Sequence, residues 1–231
     1  MVSRKIDKAK YGPGWGEVIF GAVLSLVLGV ALALGYLVVK PAQALKALPK
    51  EPTPGAVYYI EGSSGADNGK QWMRKKELFI EGTSVTLSED ELNAWIASET
   101  APPAPAPGQK PAAKPPATPT SIIELGTPNF RLHDGLMQIG SKGTLNLSWW
   151  GVKETIFVQA TGRFVKQGGS FAFVPEQFYI GSCPLYRVPG LGVYVFDRLL
   201  AKLKVPDDLA AAWKKLADVS IDDHTLKLTM P

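Results

Sequence analysis

The chain has 231 residues (24.9 kDa), 45% of them hydrophobic and 20% charged, with a mean hydropathy of +0.03, too apolar a composition for a disordered chain. One cysteine excludes an internal disulfide framework, and with only two histidines it leaves few soft metal ligands. The net charge of +4 comes without a dense Lys/Arg cluster, so no nucleic-acid partner is expected; no cofactor is expected either, since no glycine-rich phosphate loop fits.

Val18 to Val39 is a run of 22 residues without a charge. At 1.5 Å per residue it spans about 33 Å, enough for a hydrocarbon core of about 30 Å. A core helix of that length would carry a polar stripe, and this run has none. Trp15 and Tyr36 stand near its edges, with Glu17 and Lys40 flanking it, as interfacial residues should. Residues 18–39 are therefore expected to be a transmembrane helix and 1–17 a cytoplasmic tail. Arg4, Lys5, Lys8 and Lys10 precede the span, and Lys40, Lys46 and Lys50 follow it. Four against three is a small bias, but the short leading tail is where the positive-inside rule applies best. The N-terminus is thus expected inside, with the main domain outside the cytoplasm. Ala42-Gln43-Ala44 also offers a signal-peptidase site, but the apolar run exceeds a signal peptide's usual 7–15 residues. Gly21, Ser25, Gly29 and Ala33 recur every fourth residue, a spacing that permits self-association through one helix face; the abundance of Gly and Ala in this span is the favoured explanation.

Residues 40–54 read as a tether and Ala56 to Ile60 as the first strand, ahead of a polar loop over Ser63 to Asn68. Lys70 to Ile80 suits either a short basic helix or the second arm of a hairpin. In Leu87-Ser88-Glu89-Asp90-Glu91-Leu92, Ser88 can cap a helix and Glu91 can complete a capping box, with Leu87 and Leu92 as its hydrophobic staple. Glu89 and Asp90 fill the first turn, where the helix dipole favours acids. The helix is predicted from Glu89 to Ser98, burying Leu92, Trp95 and Ile96. Residues 100–120 hold eight prolines and six alanines, an extended, solvated composition. The stretch is expected to be an insertion, because 56–99 alone is a small core for independent folding.

Beyond it, Asn129 to His133 and Leu136 to Ser141 flank Asp134-Gly135, a hairpin signal. Gly143 to Trp150 alternates, with Leu145, Leu147 and Trp149 on one face. Thr155 to Phe164 is predicted as a strand with Ile156, Val158 and Ala160 inward. Gln167-Gly168-Gly169 turns the chain into Ser170 to Val174, where Phe171 and Phe173 share a face. Leu191 to Leu203 and a segment opening at Pro206 predict two helices. A closing hairpin follows, Val219 to Ile221 against Leu226 to Leu228. The expected fold class is α+β: an N-terminal transmembrane helix, then an extracytoplasmic domain (55–231) in which a curved antiparallel sheet packs with helices.

Three passages carry a family resemblance. SVTLSEDELNAWIA, NFRLHDGLMQIGSKGTLNL with GSFAFVPEQFYIGSCPLYRVPG, and the closing VSIDDHTLKL together resemble the YpmS-like family of membrane-anchored bacterial proteins. More distantly the pattern is similar to bacterial lipid-binding folds, in which a curled sheet wraps a helix around an apolar groove. The resemblance implies a domain on a single-pass anchor in the bacterial cytoplasmic membrane, with lipid contact. It supplies no catalytic residues.

No catalytic constellation emerges from the residues themselves. His133 and His224 sit in turns, Cys183 suits a small buried position, and the acidic pairs stand where helix starts and turns want them. The chain is expected not to be an enzyme. The aromatic and apolar residues remain, and some must form the core. Trp149, Trp150, Phe157, Phe171, Phe173, Tyr194, Phe196 and Leu200 are the candidate lining of a groove for lipid or an acyl chain, with Trp150 and Phe157 interrupting otherwise polar strand faces. The alternative is a structural or interaction protein of a cell-envelope assembly, without a small-molecule ligand.

Overall fold

The computed structural model describes residues 12–45, 47, 49–51, 53–65, 69–100, 122–147, 151–200 and 206–231. The expected basic tail residues Arg4, Lys5, Lys8 and Lys10, nearly all of the proline-rich insertion, and Leu203 lie outside them.

Helix α1 (Trp15–Val39) is apolar along its length and buries no residue. It is long and apolar enough to cross a membrane. Strand β1 (Gln43–Leu45) follows and pairs in parallel with β2 (Tyr58–Ile60). Helix α2 (Gly69–Ile80) decides the ambiguity of that segment in favour of the helix. Its apolar residues Trp72 and Phe79 are buried, seven positions apart and so on one face. Strand β3 (Val85–Ser88) leads directly into α3 (Glu89–Thr100). The capping box is formed: the Ser88 amide donates to Glu91 Oε2 at 2.8 Å, and the Glu91 amide donates to Ser88 Oγ at 3.3 Å. Glu91 also lies 2.6 Å from the Lys75 ammonium of α2, which ties the two helices together.

The main sheet is an antiparallel meander of β4 (Ile123–His133), β5 (Leu136–Leu147), β6 (Val152–Gln167), β7 (Ser170–Ile180) and the two-residue β8 (Cys183–Pro184), in that order. Asp134 and Gly135, both at positive φ, make the tight turn between β4 and β5, the backbone that a twisted two-residue hairpin requires. The strands run longer than their strongest alternating segments. β4 starts six residues before Asn129, and β7 continues past Val174 to Ile180. Register shifts between Leu125 and Pro128 and between Thr161 and Gly162 break the two-residue period, and such bulges also bend a sheet.

After β8 come a single 3-10 turn (Leu185–Arg187), α4 (Leu191–Leu200) and α5 (Asp207–Trp213). Strands β9 (Asp218–Asp222) and β10 (Thr225–Thr229) close the chain as the expected hairpin, with β10 pairing also with β3 in a three-stranded sheet. The β3 pairing joins residues some 140 positions apart, which local pattern cannot announce.

Cross-strand register puts Leu132, Met137, Ile156, Val158, Ala160, Phe171, Phe173, Phe178 and Ile180 on one face of the meander. Two apolar clusters cover it. Towards one end, α2, α3, α5 and the small sheet pack Trp72, Phe79, Leu87, Leu92, Leu209 and Leu226 against Leu132, Met137 and Phe171. Towards the other, Phe196 of α4 and Leu185 join Ile156, Val158, Phe178, Ile180 and Cys183. The segments on either side of 101–121 touch: Asn93 of α3 hydrogen-bonds Phe130 of β4 in both directions, each at 2.7 Å.

The segment expected as a tether is in part docked on this body, which corrects that expectation. Ala42 is buried, the Gln43 amide donates to Val57 O at 2.9 Å, and β1 adds to β2. Backbone pairing to a chain fifteen residues downstream overrides a composition that reads as a spacer.

Candidate functional site

Of the eight residues proposed as a groove lining, the five whose side chains are described do not share one face. Trp149, Trp150 and the side chain of Leu200 lie outside the described residues. Phe157 faces away from its neighbours Ile156 and Val158, on the opposite side of the sheet from Phe171, Phe173 and Phe196. There it stacks on Tyr59 of β2, ring centroids 4.8 Å apart. Tyr59 lies so close over Gly140 that a Cβ at that position would fall 2.1 Å from its ring. Gln159, on the same face, donates through Nε2 to Tyr58 O at 3.1 Å and accepts from Gln138 at 3.2 Å. The apolar residue on a polar face is thus covered by the β2 segment laid across it. Burial, aided by the Glu61 charge, pushes the Tyr59 phenol up to about 12.

Phe171 belongs to the first cluster and Phe196 to the second, while Phe173 touches both and meets the Phe196 ring at 5.7 Å. These rings fill the covered sheet face and pack on one another. Tyr194 is on the outer side of α4 with the Arg198 guanidinium 5.4 Å from its ring centre. A cleft of about 140 Å³ opens between β7 and the 3-10 turn, lined by residues that include Pro175, Phe178, Tyr186, Val188 and Val193. Ligand pockets commonly measure about 300–1,000 Å³.

Cys183 and His224 each make contacts within the fold. Cys183 is fully buried, and burial pushes its thiol up, away from the reactive thiolate. His224 Nδ1 lies 2.9 Å from Leu132 O, which suits a donating Nδ1–H. Among the described residues no three of His, Cys, Asp or Glu come together as a metal site.

What sequence reasoning missed is the junction between α1 and the sheet. Leu34, Leu37 and Val38 pack on the second cluster, beside Ile180, Cys183 and Leu185. The turn between β7 and β8 then closes on the end of α1. The Ser182 amide donates to Leu37 O at 2.9 Å and Lys40 O at 3.1 Å, and Ser182 Oγ donates to Pro41 O at 3.4 Å. Carbonyls in the last turn of a helix have no partner within it, so these bonds satisfy groups that would otherwise need water. Gly181, at φ +59, makes the approach possible, because a Cβ there would lie 2.2 Å from Val38 O. Nothing in the local pattern around Gly181-Ser182 announces this contact. The role of that turn depends on α1, some 140 residues away.

Beside this junction, Tyr179 and Tyr186 meet edge to face at 5.4 Å, their hydroxyls 3.4 Å apart, and Arg187 Nε donates to the Tyr186 oxygen at 3.2 Å. Burial, with the hydrogen bond to Tyr186, raises the Tyr179 phenol to about 12, whereas the bonds from Tyr179 and Arg187 lower that of Tyr186.

Compared with protein-family models, with curated proteins and with solved structures, the chain matches none.

Proposed function

We propose that this chain is a single-pass membrane protein, N-terminus on the cytoplasmic side, whose α+β domain is a non-catalytic interaction module of a bacterial cell envelope. The motif resemblance to YpmS-like proteins is in keeping with that location. The observation that carries the reading is the hydrogen-bonded junction of Leu37, Lys40 and Ser182. A helix apolar enough to span a bilayer ends directly in the folded domain, so the domain holds a set attitude to the membrane. A fixed attitude suits a surface that must meet partners at a defined place. An acyl-chain groove is the weaker reading, because the aromatic residues facing the covered side of the sheet are already packed against each other and against α4.

Carbonate extraction of membranes, with external protease added to spheroplasts, tests the location. The full chain is expected in the pellet, with its domain digested from outside. Native mass spectrometry of the detergent-exchanged protein separates the two functional readings. A lipid retained at one per chain through exchange would favour the groove, and its absence favours the interaction module.

A further inference from the structure

We infer that the outer face of α4, with the neighbouring Tyr186 and Arg187, rests in the headgroup layer of the membrane that α1 spans. The inference depends on the membrane-anchor reading of α1 and adds to it a second, peripheral contact between domain and lipid.

Depth supplies the first argument. The 25 residues of α1 measure about 37 Å, against about 30 Å of hydrocarbon. A centred helix therefore extends about 3–4 Å beyond the hydrocarbon at each end. Leu34 stands about 7 Å before Val39 along the axis, just below the hydrocarbon boundary, and Leu37 and Val38 stand at it. These three residues pack on the cluster that also contains Leu191, Val195 and Phe196 of α4. One face of α4 thus shares its packing with the emerging end of the membrane helix, and a helix with its side chains is only about 10 Å across.

Composition supplies the second. Outside α1, the large apolar side chains exposed among the described residues are Leu45, Met73, Ile122, Leu125, Val165, Tyr186, Val193 and Tyr194. Three of these eight stand together: Val193 (60% exposed) and Tyr194 (58%) are on α4, and Tyr186 precedes it. A soluble surface scatters such residues singly.

Charge and ring geometry supply the third. Arg198 lies over Tyr194 at 5.4 Å and Arg187 over Tyr186 at 5.7 Å. Tyrosine rings at the headgroup level, with arginines reaching for phosphates, are what a bilayer interface selects. Asp197 is the one exposed acid on α4. A protein partner could use the apolar residues, but it would not require them to sit at the depth where the anchor leaves the hydrocarbon.

The test uses the full chain in nanodiscs of phosphatidylcholine with one quarter phosphatidylglycerol, in a Cys183→Ala background. An environment-sensitive fluorophore is attached at Val193→Cys or, as control, at Gln167→Cys. Gln167 is nine residues along β6 from Val158, about 30 Å away at 3.3 Å per residue, at the end of the sheet remote from the junction. The label at 193 is expected to be blue-shifted, quenched by lipids spin-labelled near the headgroup, and reduced by dithionite at least tenfold more slowly than the label at 167. A label at 193 as accessible to dithionite as that at 167 overturns the inference. A label at 193 shielded from dithionite and from spin-labelled lipid alike also overturns it, and points to a protein on this face. In both cases the anchor reading stands if carbonate leaves the chain in the membrane, whereas release by carbonate removes the anchor and this contact together. Should the Cys183→Ala background fail to fold, the same labels in the native background serve, because Cys183 is fully buried.

Discussion

Asn93 and Glu89 stand one helical turn apart on α3, both buried, and together they finish the outer edge of β4. Asn93 Nδ2 donates to Phe130 O and to Ser63 O, its Oδ1 accepts from the Phe130 amide, and Glu89 Oε2 accepts from the Leu132 amide at 2.8 Å. Glu89 Oε1 also accepts from the Ser63 amide at 2.5 Å. An unpaired edge strand is a template for aggregation, and here side chains take the place of the missing strand. Asn93→Leu leaves the part-buried Phe130 amide and carbonyl without their side-chain partners. A loss of about 2–3 kcal/mol is expected, read as a lowered unfolding midpoint of the full chain in micelles. Tyr59 makes a second prediction at this scale. Its folded pKa, about 12, lies above the ordinary value of 10. The stability tied to its neutral form is therefore complete below pH 10 and lost as pH rises towards 12, because the unfolded chain ionises first. Tyr59→Phe should flatten part of that alkaline decline in a series of melts between pH 9 and 12. Tyr179, also raised to about 12, would retain its own share.

At the scale of elements, the capped helix α3, the Asp134-Gly135 hairpin and the apolar span α1 could be read from sequence because each is built from contacts within a few residues. The same holds for the inward sides of β5 and β6, where alternation, interrupted at Phe157, announces residues such as Leu145, Ile156, Val158 and Ala160 as buried. Strands β1 and β3 could not be read. Three or four residues are too few to show a period, and each exists through its partner, β2 for one and β10 for the other. The β7–β8 turn belongs with them, since Gly181 matters only because Val38 O lies against it. Gly181→Ala forces a left-handed backbone on alanine, costing about 1–2 kcal/mol, and drives its methyl into α1. The Ser182 amide is expected to lose its hydrogen-exchange protection while amides in the middle of β5 and β6 keep theirs. Equal protection of Ser182 in both proteins would mean that the junction is not closed in solution.

For the whole molecule, two clusters on one sheet face divide the labour. One binds the helices and the terminal hairpin, and the other joins α4 to the end of α1, with Phe173 touching both. Cys183 lies in the second cluster and reports on it. With α1 seated, its thiol should resist a maleimide under native conditions. Leu37→Asp, which sets a charge against the apolar cluster, should speed the modification several-fold, measured by mass shift over time. An unchanged rate would show that α1 contributes nothing to the cover of Cys183.

The sequence by itself determined the apolar span, the order of strands and helices after the proline tract, and the capping chemistry of α3. Those features are decided by composition and by periods of two or 3.6 residues, which act locally. Only the tertiary structure decided that Phe157 lies under Tyr59, that the supposed spacer is partly paired, and that a glycine-serine turn receives the end of α1. In each, the deciding partner is far along the chain, and the free energy arises from surfaces that meet only after folding.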